Sequence, residues 1–334
     1  SQLPTADLAD LLYGAAAERF YAAGGHLFDA CNKMIELTDF LGNKAPADLW
    51  GMIAPSLAIA RGADEGTAWH HPVDIASAVR EAEASLPTIW KTGRTKLDSE
   101  TEDELVRQLL GEDPLEVIAA VQTALVSGVE AAAVGAAITR AAGHRLARFS
   151  LSNDTSDWFN PQHTFIYCNA VHQAVQRATV RDVVRALFPA AMAVYMDRYL
   201  NVPPAKLPPE TGSDEMFVGA EDRESMLLDE LLSSLDNRRE IEKTARLVSS
   251  YLRIPFSNWV VHLGRLVDKM AFATLREDLD FHCLQVLEAA TTQALLRGYD
   301  SGTEEIMIGV ARMLAAHCPT QRARYQTEII ARRL

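Results

Sequence analysis

Apolar residues recur along this chain at spacings of three and four, the pattern of helices that bury one face. Leu8, Leu11, Leu12 and Ala15 mark a first helix that runs out at Gly24-Gly25. "GGHLFDACNKMIELTDFLG", residues 24–42, reads as a second helix, entered through a glycine pair and left at Gly42. The same reading predicts helices over 72–85, 102–110, 114–143 (as one helix or two), 161–177, 180–200, 224–235, 238–252, 258–276, 280–298 and 304–316. Alternating β-branched runs bounded by turns do not appear. The fold class is therefore all-α, a large multi-helix bundle or irregular helical array.

Proline and small polar residues interrupt the pattern most clearly at 201–224, "NVPPAKLPPETGSDEMFVGAEDRE". This divides the chain into an N-terminal half (1–200), a proline-rich connection (201–223) and a C-terminal half (224–334) expected to pack on the first as one unit. A second irregular stretch, 149–162, sets turn residues around Trp158 and Phe159, which suits a structured loop. The stretch 117–143 is apolar enough to suggest a membrane span. Gln122, Ser127 and Glu130 interrupt it, and its alanines and glycines read better as buried helix with close backbone approach.

Composition narrows the class. The 334 residues are 48% apolar and 23% charged with a net charge of −13, the balance of an acidic folded protein rather than a disordered one. Basic residues nowhere form the patch that phosphate contacts need, so nucleic acid is excluded as a partner, as is a membrane. Cys31, Cys168, Cys283 and Cys318 are scattered without a CxxC pair, which fits a reducing, cytoplasmic setting.

The histidines carry the candidate chemistry. His26 follows Gly24-Gly25 at a helix entrance, His71 precedes Pro72 at an expected helix start, and His163 follows Pro161 in a first turn. The positive end of a helix dipole disfavours imidazolium, so such rings stay neutral, the form that binds a metal or acts as a base. Each is also explained by helix capping alone. At about 100° per residue, His26, Asp29, Lys33 and Glu36 fall within roughly 80° of one another, beside a stripe of Leu27, Ala30, Met34, Leu37 and Leu41. That row is either a solvated face with an Asp29–Lys33 pair or the edge of an internal cavity. His262 and Lys269 repeat the seven-residue spacing of His26 and Lys33, which lowers the specificity of either pair. His163 and His172 lie on opposite sides of a helix, whereas Tyr167 shares the face of His163; His282 stands near the start of a long apolar helix.

Three blocks, "GGHLFDACNKMIELTDFLG", "WHHPVDIA" and "DWFNPQHTFIYCNAVHQAV", resemble segments of the questin oxidase-like family. Related helical proteins are sometimes encoded together with Rieske-type domains. The resemblance is confined to these blocks and the helical layout. It implies a large all-α fold and a mononuclear non-haem iron centre, held by histidines and a carboxylated lysine, that activates dioxygen to open an anthraquinone ring. Carried onto the matching blocks, the metal ligands are His26, His71 and His163, with His282 added on its helix context. Lys33, two turns from His26, is the candidate for carboxylation. In the family the modified lysine follows a histidine by one turn near the later block, and here Tyr167 holds that place.

The implied function is an Fe(II)-dependent oxidoreductase acting with dioxygen on an aromatic, polycyclic or quinone-like small molecule. Asp29 would orient an imidazole, Lys33 would be a carboxylated ligand or a charge partner, and Trp69, Trp158, Phe159 and Tyr167 would form an apolar wall. No close pair of Cys-x-His segments supports a Rieske cluster, so any electron donor is external. Phosphate-loop, dinucleotide and serine-hydrolase motifs are absent. The alternative is a non-catalytic helical binding or scaffold protein, its histidines dispersed and metal-free.

Overall fold

A computed structural model describes residues 5–42, 48–89, 95–178, 180–209, 223–238 and 240–333. Among them are fifteen α-helices and no β-strand, the all-α class that the periodicity predicts; the nearest thing to a sheet is one isolated bridge, Thr95 to Val129. No described helix is long and apolar enough to cross a membrane. The chain forms two compact units. One takes Ser1–Ala142 and His163–Tyr199, the other Gly143–Gln162 and Leu200–Leu334.

The first unit contains α1 (Thr5–Ala17), α2 (His26–Leu41), α3 (Ala54–Ile59), α4 (Ile75–Ile89), α5 (Ser99–Leu109), α6 (Pro114–Val126), α9 (Leu187–Met196) and most of α7 (Ala131–Ala147) and α8 (Phe159–Arg177). Helix α9 is apolar all round, LFPAAMAVYM, and every residue from Leu187 to Tyr195 is buried. A helix of that kind has no face for water and becomes the axis of a core; α4, α5 and α6 pack against it, while α1 packs on α2. Helix starts follow ordinary capping chemistry. Asp98 accepts from the Thr101 amide before α5, and Asp113 accepts from the Leu115 amide with Pro114 in the first turn of α6.

The apolar stretch 117–143 lies in two helices, α6 and α7. Gly128, at φ +92°, breaks it, and Val129 bridges to Thr95. Its small residues do permit close approach, since a Cβ on Gly135 would stand 3.2 Å from the Cα of His172. Elsewhere 180–200 is not one helix, because 3-10 turns at Arg181–Ala186 and Asp197–Asn201 flank α9. Helix α4 begins at Ile75, so Pro72 does not open it and His71 is not at a helix start.

In the second unit, α14 (Ser301–His317) is the buried centre, packed by α11 (Ile241–Leu252) and α13 (Phe281–Arg297). Around it lie α10 (Arg223–Ser234), α12 (Trp259–Arg276) and α15 (Ala323–Ala331). The end of α7 meets α14 at glycine contacts: a Cβ on Gly143 would come within 2.4 Å of Ile306, and one on Gly309 within 3.0 Å of the Ala147 nitrogen. Arg312 on α14 is wholly buried. Its guanidinium donates to the carbonyls of Ala147 and Lys206 and, at 3.0 Å, to Glu242. That one cation ties α7, the proline-rich segment and α11 together. Of the predicted connection, residues 202–209 form no helix and 210–222 lie outside the described residues.

Candidate metal centre

Between α1 and α2 the chain turns through four left-handed residues: Tyr21 (φ 45°), Ala23 (51°), Gly24 (66°) and Gly25 (88°). Both glycines take up the positive φ, and Gly25 is needed for space as well. A Cβ on Gly25 would lie 2.6 Å from the Cβ of Tyr167, and one on Gly24 would lie 3.4 Å from Nδ1 of His163. The glycine pair thus lets the start of α2 press onto α8.

His26 is the first residue of α2, and its ring meets that of His163 edge to face, with centroids 4.6 Å apart and an interplanar angle of 77°. Each offers a ring nitrogen, and these lie within 4.8 Å of one another. The positive helix end beneath His26 favours the neutral ring. Behind the pair stands an aromatic layer. Tyr167 contacts Tyr21 (5.1 Å, 68°) and Phe28 (5.7 Å, 87°), Tyr13 stacks on Phe28 (5.5 Å), and the Tyr21 hydroxyl lies 3.3 Å from Thr164 Oγ1. Burial pushes the phenols of Tyr21 and Tyr167 well up, so both remain neutral and Tyr167 is no phenolate base.

The polar row on α2 resolves into two parts. Asp29 is 1% exposed, one turn after His26. The nearby Cys31 thiol is pushed up to about 12, first by burial and then by the Asp29 carboxylate. Lys33 instead faces partly outward and donates to Glu36 at 2.9 Å. Glu36 also accepts from Asn32 at 2.7 Å, and Asn32 accepts from the Tyr13 hydroxyl at 2.7 Å. Beside Glu36 the lysine is favoured as an ammonium, because a carbamate there would face a second anion. The apolar stripe is shifted too. The residues α2 buries include Leu27, Phe28, Cys31 and Ile35, whereas Leu37 is 40% exposed, because the aromatic layer draws Phe28 inward.

His282 is the second residue of α13, in the second unit. Asp280 caps that helix, accepting from the amides of His282 (3.0 Å) and Cys283 (3.3 Å), and its carboxylate lies 3.4 Å from His282 Nδ1. The His282 ring stands edge-on to Phe159, with centroids 5.1 Å apart. Phe159 is the first residue of α8, one turn ahead of His163 on the same helix. His71 is exposed and is not grouped with His26 and His163. Trp69 packs on Phe20 and Trp158 on Phe149, both as core; of the expected wall, Phe159 and Tyr167 stand beside candidate ligands.

Two groups escaped the sequence reading. Gln162, the residue before His163, is fully buried, and neither amide atom has a hydrogen-bond partner among the described residues. A buried amide in that state costs about 1–3 kcal/mol unless a bound molecule completes it. Glu83 on α4 holds one oxygen buried without a hydrogen bond among the described residues. Burial raises its carboxyl to about 7 against the pull of Arg185 and Arg80, and its charge is felt at Tyr167. Its position four after buried Val79 and three before buried Leu86 was the available signal.

The imidazole nitrogens of His26 and His163 suit a borderline transition metal. Comparison with protein-family models, with curated proteins and with solved structures finds no match.

Proposed function

We propose that this protein is a metal-dependent oxidoreductase in which His26 and His163 supply imidazoles to one non-haem Fe(II). The observation that carries the reading is the edge-to-face pairing of His26 and His163 beside Gly25, where a side chain would collide with Tyr167. Bound there, iron supplies dioxygen activation. The chain's own groups set the surroundings. Asp29 stands one turn from His26 as the acceptor that orients an imidazole, and Lys33 serves as an ammonium charge partner. The aromatic or quinone-like substrate class, the external electron donor and a cytoplasmic setting follow from the resemblance of the three sequence blocks and from composition.

The test is elemental analysis of protein purified without chelator and loaded anaerobically with Fe(II), alongside His26→Ala and His163→Ala. Near one equivalent of iron, lost in both variants, is the expected result, followed by quinone-dependent oxygen uptake. Absence of any stoichiometric transition metal overturns the reading and leaves a helical binding protein.

A further inference from the structure

The C-terminal helix α15 buries none of its residues, yet it returns to pack on α12. The turn that brings it back passes through Arg322 at φ 51°. Between α15 and the α12–α13 corner runs a groove of about 630 Å³, within the ordinary range for a small-molecule site. Its floor is apolar and open: Phe272 is 44% exposed, Leu275 66% and Leu284 42%. Tyr325 stands across it, edge-on to Phe272 with centroids 6.3 Å apart and an interplanar angle of 90°.

Charge distinguishes this groove from the rest of the molecule. Three arginines, Arg276, Arg324 and Arg332, line it against two acids, Asp278 and Glu328. The surplus is positive in a chain whose net charge is −13. Arg276 is held by Glu277 and Asp236, and Arg332 by Glu328. Arg324 uses only its backbone amide, which donates to the Asp278 carboxylate at 3.2 Å, and its guanidinium makes no ion pair among the described residues.

We propose that this groove is a binding site for an apolar carboxylate, its hydrocarbon lying on Phe272, Leu275 and Leu284 and its carboxylate paired with Arg324. The guanidinium offers two parallel donors to a carboxylate, and the open apolar floor supplies the contact that a hydrated inorganic anion lacks. The site is independent of the metal reading.

The test is a calorimetric titration of the full chain with 1-naphthoate and with decanoate, which separates an aromatic from an alkyl ligand. The neutral 1-naphthalenemethanol serves as control. Saturable binding of at least one acid is expected, weakened about tenfold or more in Arg324→Gln and by loss of the carboxylate, and abolished in Leu275→Glu. Among the described residues the Arg324 guanidinium makes no ion pair, so its replacement leaves folding intact, and metal content stays unchanged in both variants. Equal affinity in Arg324→Gln, equal binding of the alcohol, or no saturable binding of either acid overturns the proposal. A concentration-dependent dimer in sedimentation, lost in Leu275→Glu, would assign the face to a second copy of the chain and overturn it as well.

Discussion

His26 in the first unit and His262 in the second each stand seven residues before a lysine on one helix, and their surroundings differ in kind. His262 is 4% exposed, its ring stacked between Tyr251 (4.3 Å, 4°) and Phe256 (5.0 Å, 18°). Its Nε2 lies 3.1 Å from the Tyr251 carbonyl and its Nδ1 3.4 Å from Glu224, while Lys269 reaches Asp229 on α10. Both ring nitrogens are committed to the fold. His26 instead opens its helix behind a glycine pair and faces a second imidazole, and Lys33 pairs within its own helix. A histidine clamped between flat rings and bonded to backbone holds a protein together. One that opens its helix and meets a second imidazole edge to face is a candidate metal donor.

The sharpest way to break this contrast is to exchange the losses. His26→Ala and His163→Ala should reduce bound metal from near one equivalent to background, with metal-free stability changed by less than about 1.5 kcal/mol. His262→Ala should keep the metal and lose about 3 kcal/mol, because it empties an aromatic stack and strips a partner from Glu224. Elemental analysis and urea unfolding of the three variants decide it; metal loss in His262→Ala would dissolve the distinction.

Gly25→Ala tests the cradle. With a positive φ and a Cβ 2.6 Å from that of Tyr167, it should destabilise by about 3 kcal/mol and displace the start of α2. Gly14, which has nothing within 4 Å of an added Cβ, is the control: Gly14→Ala should gain up to about 1 kcal/mol.

Carboxylates repeat the contrast more gently. Glu277 is fully buried and engaged by Arg276, Arg322 and Thr320, whereas Glu83 is raised from 4.5 to about 7. A raised acid holds its proton when folded after the unfolded chain has released it. Stability should therefore fall as pH rises from about 4.5 to about 7, by at most about 1.4 kcal/mol per pH unit for one proton. Glu83→Gln should remove that slope, as unfolding measured at pH 5 and pH 7.5 will show. The smallest effect belongs to Gln162→Leu, expected to stabilise metal-free protein by about 1 kcal/mol, since an apolar side chain removes an orphaned amide.

The helices were largely legible because burying one face of a helix writes a period into the sequence, and α10 to α14 match that period within a few residues. Short or exposed helices such as α3 and α15 carry too little apolar period to be read. At the candidate centre, His26 does open a helix, as its place after the glycine pair predicts. His71 fails because the helix after it starts at Ile75 rather than at Pro72. Which histidines meet depends on left-handed turns such as the one at Gly24-Gly25, which set where a helix lands and leave only a glycine pair as their trace. Gln162 and Glu83 were hidden for another reason: whether a polar side chain finds a partner is decided by residues far away in the chain.

Distance along the chain also has a meaning in time. Arg312 bonds Ala147, Lys206 and Glu242 across separations of 165, 106 and 70 residues. At about 5–20 residues per second of synthesis, the Ala147 carbonyl waits on the order of ten seconds or more for its guanidinium to be made. A ribosome that stalls before α14 therefore releases a second unit with its ties open, whatever the quality of the helices already formed.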